Sequence, residues 1–284
     1  MFKFFKRHAN GLLESQDKLL SPDGNAFFHK GQWHNIPRGG AVDTLKGNTH
    51  WCSDFLSPFS TATGGLIGGG AVYAVASGAT FARLAVNGGA GRITLAGDDA
   101  DAVGVFGPVA YEPDEAGRMW MQARVRSSSV AAGALFIGFT DADTDTVVIE
   151  DEDGTIQTVA SDAFGVMLEG EDDGTWQTMG VGVDVDDTQY ASSNISDLAA
   201  ATWTTVHIEA DNRGNTAHTV VRYRVRIDGK ILLTSNSDGQ GWTPSAARSS
   251  IVYCPVVSAD DRAAAYTVDI AEMEANGGLG TTLD

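Results

Sequence analysis

Four acidic residues have a spacing that suits calcium binding. Asp141, Asp143 and Asp145 alternate, and Glu152 follows Asp141 by eleven positions, where an EF-hand loop places its bidentate carboxylate. Thr146 stands where that loop needs glycine for its sharp turn, so the EF-hand motif is excluded. Two interpretations stay open, a looser calcium site with oxygen ligands and a hydrated acidic loop. No other cofactor is predicted.

The remaining carboxylates do not form a hydrolytic motif. A strand with the pattern Glu-x-Asp-x-Glu would project three carboxylates from one face, but Glu150 and Glu152 are followed by Gly154 at the third position. No Gly-x-Ser-x-Gly elbow occurs, and His207 and His218 have no nucleophile motif near them. We therefore predict that the protein is not an enzyme.

Three arginines form a stripe on one predicted strand. Arg222, Arg224 and Arg226 alternate with apolar residues, and Arg124 and Arg126 occupy the polar face of an earlier strand. Because guanidinium groups bind carboxylates in a bidentate way, the stripe is a candidate for docking an acidic surface of a neighbouring subunit. The alternative is that these long side chains cover apolar surface and protect the strand from edge pairing.

The amino-terminal residues suggest a partner. Aromatic and basic side chains alternate here, in the order Phe2, Lys3, Phe4, Phe5, Lys6 and Arg7. Exposed aromatic residues are normally covered by something, either by the rest of the chain or by another protein. Trp33, Trp51 and Trp242 have two interpretations as well, a platform for stacking sugars and packing anchors.

The hydrophobic pattern predicts an all-β protein. Residues 119–126 alternate between apolar and polar, as in a strand that is buried on one face, and residues 135–139 are continuously apolar, as in a central strand. Asp228 and Gly229 predict a type I′ hairpin turn. About nine or ten strands are expected, residues 147–149 and 251–254 among them. A helix is considered only for residues 10–20.

The formal charge of −18 is unevenly distributed. Residues 98–187 contain 3 basic and 21 acidic side chains, so the net charge of this segment, −18, equals that of the whole chain. Residues 1–97 have a net charge of +4. We divide the chain into an extended arm, residues 1–92, and an acidic β-sandwich, residues 93–284. The acidic body excludes a nucleic-acid partner, and no stretch is apolar enough to predict a membrane span. Cys52 and Cys254 are expected to be free buried thiols.

The strongest sequence features of the predicted sandwich are the segments MWMQARVRSSSVAAGALFIGFTDAD, TWTTVHIEADNRGN and YRVRIDGKIL. In these segments the chain resembles the concanavalin A-like (laminin G-like) sandwich, in particular the version found in structural proteins of tailed bacteriophages. The resemblance covers residues 93–275 and implies a jelly-roll sandwich. It implies a capsid decoration (cement) protein, located on the outer surface of the capsid of the virion. Its arm would bind the major capsid protein, and copies would cluster, with homotrimers favoured. The alternative is a carbohydrate-binding module of a head fibre or tail component that attaches to glycans.

Overall fold

The computed structural model contains β-strands, turns and bends, with no helix among the residues that it describes. The described residues are 6–7, 13–15, 18–20, 26–29, 32–35, 48–53, 55, 65–67, 70–75, 79–84, 89–97, 101–112, 118–141, 148–152, 155–158, 162–168, 175–182, 185–191, 195–211, 222–232, 252–261 and 264–278. Within them, no helix has the length and hydropathy needed to cross a membrane.

The first strands of the chain form a small antiparallel sheet of their own, which we call the N-terminal sheet. Its five strands pair in sequence order: β1 (Lys6–Arg7), β2 (Leu13–Ser15), β3 (Lys18–Leu20), β4 (Ala26–His29) and β5 (Gln32–Asn35). Strands β2 and β3 occupy the region in which a helix was considered. That helix prediction is wrong.

Two eight-stranded antiparallel sheets form the main body. Sheet 1 contains β6 (Asn48–Ser53), β9 (Thr80–Leu84), β10 (Ala90–Leu95), β12 (Arg118–Ser127), β19 (Thr204–Asp211), β20 (Arg222–Ile227), β21 (Lys230–Ile231) and β23 (Tyr266–Gly278). Sheet 2 contains β7 (Gly65–Ile67), β8 (Gly70–Val75), β11 (Ala102–Phe106), β13 (Gly133–Thr140), β16 (Ala163–Leu168), β17 (Trp176–Gly182), β18 (Val185–Ala191) and β22 (Cys254–Asp261). A separate hairpin joins β14 (Ile149–Glu152) to β15 (Thr155–Thr158).

The strand order is that of a jelly roll. Sheet 1 runs β21-β20-β19-β12-β23-β10-β9, with β6 also paired to β23, and sheet 2 runs β18-β17-β16-β13-β22-β11-β8-β7. Consecutive strands therefore lie at equivalent positions in opposite sheets, β10 with β11, β12 with β13 and β22 with β23. This arrangement confirms the predicted all-β, concanavalin A-like jelly-roll sandwich.

The main core lies between the two sheets and follows from the alternation of side chains along each strand. On β12, Met119, Met121, Ala123 and Val125 are buried in the core, as the sequence pattern predicts. Phe139 and Phe164 stack across neighbouring strands of sheet 2, with their ring centres 5.3 Å apart. Each large side chain buried in this way contributes about 1.5–3 kcal/mol through the apolar area that it removes from water.

The outer face of sheet 2 is also covered over its central strands. Phe106, Phe136, Met167 and Val256 form a second buried cluster on this face. Val148, just before the β14–β15 hairpin, belongs to the same cluster, so the segment that leads into the hairpin lies over this face. Strand β13 is thus buried on both sides, which confirms the interpretation of residues 135–139 as a central strand.

Strand pairing starts before the predicted domain boundary. β6 pairs with β23, β8 with β11 and β9 with β10, so residues assigned to the arm belong to the two large sheets. β10 itself crosses the boundary between Arg92 and Ile93. The sequence pattern missed this because the partners of these early strands lie far along the chain.

Other local predictions were wrong in detail. Of the inner strand predicted at residues 147–149, the structure describes Val148, which precedes β14, and Ile149, with which β14 begins; among the described strands, β14 pairs with β15 and not with sheet 2. The strand expected at residues 251–254 is β22, which begins at Cys254. Cys254 is buried and is not part of a disulfide, as predicted, and its thiol donates a hydrogen bond of 3.4 Å to the carbonyl oxygen of Thr140.

Candidate functional site

The outer face of sheet 1 differs from that of sheet 2 because it carries half-exposed polar side chains. We call it the polar face. Alternation along β10, β12, β19, β20 and β23 places the following residues on it: Arg92, Trp120, Gln122, Arg124, Arg126, Thr205, His207, Glu209, Arg224, Arg226, Asp269, Glu272 and Glu274. Arg124, Arg224 and Glu272 are exposed, whereas Asp269 and Glu209 are buried.

A charged row crosses three neighbouring strands of the polar face. Arg92 on β10, Asp269 on β23 and Arg126 on β12 lie opposite one another in the register of the sheet. Arg92 donates to Asp269 through Nε at 2.6 Å and through Nη2 at 3.0 Å. Arg126 donates to Oδ2 of the same carboxylate through Nε at 3.0 Å and through Nη2. One carboxylate thus holds two guanidinium groups in fixed positions.

The two arginines keep the Asp269 carboxylate ionised. Burial alone would raise the pKa of Asp269, but the hydrogen bonds from Arg92 and Arg126 outweigh that effect and hold its pKa below the ordinary value. The hydrogen bond to Asp269 also raises the pKa of Arg92, against the opposing effect of burial. Asp269 and Arg92 therefore form a charged pair at neutral pH.

Trp203 lies beside this row, just before β19. The guanidinium carbons of Arg126 and Arg124 lie 4.8 Å and 5.3 Å from the centre of the Trp203 ring. Both distances are within the range of a cation–π interaction. The Trp203 ring therefore contacts two cationic side chains on the same face of β12, at one end of the polar face.

A second group occupies the middle of the polar face. Trp120 is 8% exposed and stacks on the imidazole of His207, with ring centres 5.5 Å apart. Glu209 accepts a hydrogen bond of 3.4 Å from Nη1 of Arg226, and its carboxylate lies 3.9 Å from Nε2 of His207. The buried carboxylate of Glu209 thus has a cationic partner, as that of Asp269 has.

The structure brings together part of the predicted arginine stripe. Arg224 and Arg226 lie on the polar face with Arg124 and Arg126, with strand β19 between β20 and β12. For Arg222 the structure describes the backbone in β20, opposite Asp211. Arg226 binds Glu209 within the chain, so this member of the stripe has an intramolecular partner.

The predicted calcium ligands are only partly described. Oδ1 of Asp141 accepts a hydrogen bond of 2.8 Å from the backbone N–H of Asp162, so this carboxylate already joins two chain segments. Asp143 and Asp145 lie outside the described residues, and for Glu152 the structure describes the backbone in β14. Among the described side chains, no group of three or more acidic, histidine or cysteine residues is arranged to hold a metal ion.

The aromatic and amino-terminal predictions have mixed outcomes. Trp51 is 3% exposed and belongs to the main core, so its interpretation as a packing anchor is confirmed. Trp242 lies outside the described residues, as does the segment from Phe2 to Phe5, and for Trp33 the backbone in β5 is described. Lys6 and Arg7 form β1 of the N-terminal sheet, and their role in binding a partner stays a prediction.

Sequence reasoning missed two central residues of the site, Arg92 and Asp269. They are 177 positions apart and meet because β10 and β23 are neighbours in sheet 1. The alternation of Tyr266, Val268 and Ile270 with polar residues was a usable signal that Asp269 lies on an outer face. Nothing in the sequence identified its arginine partners.

Comparison with known proteins supports the fold. No protein-family model matches the chain, and no curated protein matches it in sequence. A protein of unknown function from Shewanella oneidensis MR-1 has a similar structure, with a TM-score of 0.53 at 14% identity, covering 85% of this chain and 91% of that one. The similarity is one of fold.

Two further solved structures are similar at lower TM-scores. The carbohydrate recognition domain of Emp47p has a TM-score of 0.44 at 14% identity, covering 66% of this chain and 83% of that one. A carbohydrate esterase of the Shiga toxin-encoding bacteriophage phi24B has a TM-score of 0.42 at 15% identity, covering 73% of this chain and 90% of that one.

Proposed function

We propose that the protein is a carbohydrate-binding module without catalytic activity and that its polar face contacts the glycan. The observation that carries this proposal is the difference between the two sheets. On its central strands the outer face of sheet 2 is occupied by a buried apolar cluster, whereas the outer face of sheet 1 presents half-exposed hydrogen-bonding side chains. A broad, open and polar sheet face suits an extended ligand with many hydroxyl groups.

The side chains on the polar face match the chemistry of a sugar. Gln122 both donates and accepts hydrogen bonds, Thr205 offers a hydroxyl group, and Arg124 offers several N–H donors. Trp203 supplies a partly exposed aromatic ring beside them, which suits the C–H face of a pyranose ring. These groups lie on neighbouring strands, so the sheet itself fixes their spacing.

The buried carboxylates of the polar face support binding rather than hydrolysis. A glycosidase needs one carboxylic acid that carries a proton at neutral pH and a second carboxylate at a defined separation. Asp269 is held ionised by two guanidinium groups, and Glu209 is paired with Arg226. Neither is suited to act as a general acid, which favours a module that binds without cleaving.

A panel of immobilised polysaccharides tests the proposal with the full-length protein. We expect binding to at least one polysaccharide, no release of reducing sugar, and a loss of about tenfold in affinity for Trp203→Ala and Gln122→Ala, since each removes about 1.4 kcal/mol of contact energy. Lys230→Ala is the matched control, because Lys230 is exposed in the β20–β21 hairpin and lies off the polar face. Absence of binding across the panel would refute the proposal.

Capsid decoration is a second candidate function, favoured by a different observation. Among the described strands, those of the N-terminal sheet pair with neither large sheet, which suits a segment that anchors the sandwich to another surface. In this proposal β1–β5 bind the major capsid protein on the outer surface of the virion, and the polar face stays available to glycans. Deleting residues 1–35 should abolish binding to particles while the sandwich stays folded. Full-strength particle binding by the truncated protein would contradict this role.

A further inference from the structure

One end of the polar face is richer in arginine than the composition of the chain suggests. The whole chain carries 37 acidic and 19 basic side chains. By contrast, Arg124 and Arg126 on β12 both contact Trp203, and Arg92 on β10 is linked to Arg126 through the Asp269 carboxylate. The acidic residues beside them in the register are Asp269 and Glu272, so this corner has an excess of positive charge.

These guanidinium groups retain N–H donors that can bind a further ligand. Arg92 and Arg126 both use Nε and Nη2 to bind Asp269, and within the described part of the chain Nη1 of neither residue makes a hydrogen bond. Arg124 is exposed and contacts the Trp203 ring, and it forms no ion pair with any described residue. Asp269 fixes two of the three guanidinium groups before any ligand arrives, so little side-chain entropy is lost when they bind an anion.

We propose that this corner of the polar face, formed by Arg92, Arg124, Arg126 and Trp203, binds the anionic groups of an acidic polysaccharide, either uronate carboxylates or sulfate esters. The inference rests on the proposed carbohydrate-binding function and specifies its ligand class. Guanidinium groups bind carboxylate and sulfate through paired N–H donors, and Trp203 would contact the sugar ring that carries the anionic group. The acidic remainder of the protein makes binding through long-range attraction alone unfavourable, so recognition depends on these contacts.

Matched pairs of polymers test the ligand class with the full-length protein. Polygalacturonate is compared with its methyl ester, and dextran sulfate with dextran, so that each pair differs only in the anionic group. We expect one of the two anionic polymers to bind at least tenfold more tightly than its neutral counterpart. The pair that shows the difference identifies carboxylate or sulfate as the group recognised.

Arg124→Ala is the decisive variant, because Arg124 is exposed and its loss is not expected to affect folding. It should lower the affinity for the preferred anionic polymer about tenfold, and by more than it lowers the affinity for the neutral counterpart, because only the anionic polymer loses a charge-assisted contact. Arg83→Ala is the control. Arg83 is also an exposed arginine of sheet 1, but it lies on β9, which pairs with β10 at the edge of the sheet and is separated from β12 by β10 and β23. Thermal melts confirm that both variants are folded.

The outcomes separate this inference from the function on which it rests. Equal binding to the anionic and neutral members of both pairs, or unchanged binding by Arg124→Ala, would overturn the inference while leaving a carbohydrate-binding module. Binding to neutral polymers alone would do the same. If the protein bound neither these four polymers nor any other polysaccharide, both proposals would be overturned.

Discussion

Arg92 binds the Asp269 carboxylate in a bidentate way, with distances of 2.6 Å from Nε to Oδ1 and 3.0 Å from Nη2 to Oδ2. The side chain of Asp269 is 3% exposed, whereas that of Arg92 is 37% exposed. The carboxylate is therefore the buried partner, and the positively charged guanidinium group lies partly at the surface.

The lowered pKa of Asp269 predicts how stability depends on pH. Because its pKa in the folded state lies below the unfolded value of about 3.9, this group stabilises the protein above that pH, and the contribution is lost as the pH falls through the folded-state pKa. Asp269→Asn should reduce the free energy of unfolding by about 1–2 kcal/mol at pH 7. Urea unfolding at pH 7, 5 and 3 should show this difference shrinking at the lowest pH. A difference that does not vary with pH would contradict the assignment.

Gly138 and Gly165 face each other across β13 and β16, and a side chain at either position has no room. A Cβ atom at Gly138 would meet the carbonyl oxygen of Phe164. Gly138→Ala should therefore destabilise the protein by about 1–3 kcal/mol, measured by chemical denaturation. An unchanged unfolding midpoint would show that the two strands separate more easily than their pairing indicates.

Gly229 is required for a different reason, its backbone angle. It has a φ of 81° in the β20–β21 turn, and a Cβ atom there would meet nothing within 4 Å. Gly229→Ala should cost about 1 kcal/mol because alanine is strained at positive φ. Asparagine tolerates this region better, so Gly229→Asn should recover part of the loss. If alanine and asparagine were equally destabilising, steric contact rather than backbone strain would be the cause.

The Cys254 thiol should be protected from reagents in the folded protein. It is 1% exposed and belongs to the apolar cluster on the outer face of sheet 2. In the Cys52→Ser variant, where Cys254 is the one remaining cysteine, a thiol reagent such as DTNB should react slowly under native conditions and rapidly in denaturant. Rapid reaction under native conditions would show that the covering layer opens readily.

The calcium hypothesis for Asp141, Asp143, Asp145 and Glu152 makes a thermal prediction. An ion present at ten times its dissociation constant would stabilise the folded state by about 1.4 kcal/mol. Melting in 1 mM calcium chloride should then occur at a higher temperature than melting in EDTA. An identical midpoint in both would leave the hydrated acidic loop as the interpretation of these residues.

The sequence predicted local features where one strand or one turn contains the whole signal. Alternation identified both faces of β12 and β19, and Asp228 and Gly229 identified the hairpin turn, which the φ values of 49° and 81° confirm. These features depend only on neighbours in the chain, so they can be read without knowing the fold.

Features that depend on distant pairing were not predictable in the same way. β6, β8 and β9 look like weak strands of an arm, because the partners that complete their sheets are β23, β11 and β10. The Arg92–Asp269 pair depends on the same long-range register. Of the predicted arginine stripe, Arg224 and Arg226 lie on the polar face, and the acidic partner of Arg226 lies on the adjacent strand of the same chain.

Among the described strands, β22 and β23, which lie at the centre of the two sheets, are the last in sequence order. β22 lies between β11 and β13, and β23 lies between β10 and β12, so neither of these earlier pairs can be joined until residues 254–278 have been synthesised. Before that, the early strands expose unpaired edges. Contacts between such distant parts of a chain form slowly because a long loop must be closed first. The sandwich should therefore assemble late and cooperatively, and its precursors should depend on protection from aggregation until these two strands are inserted.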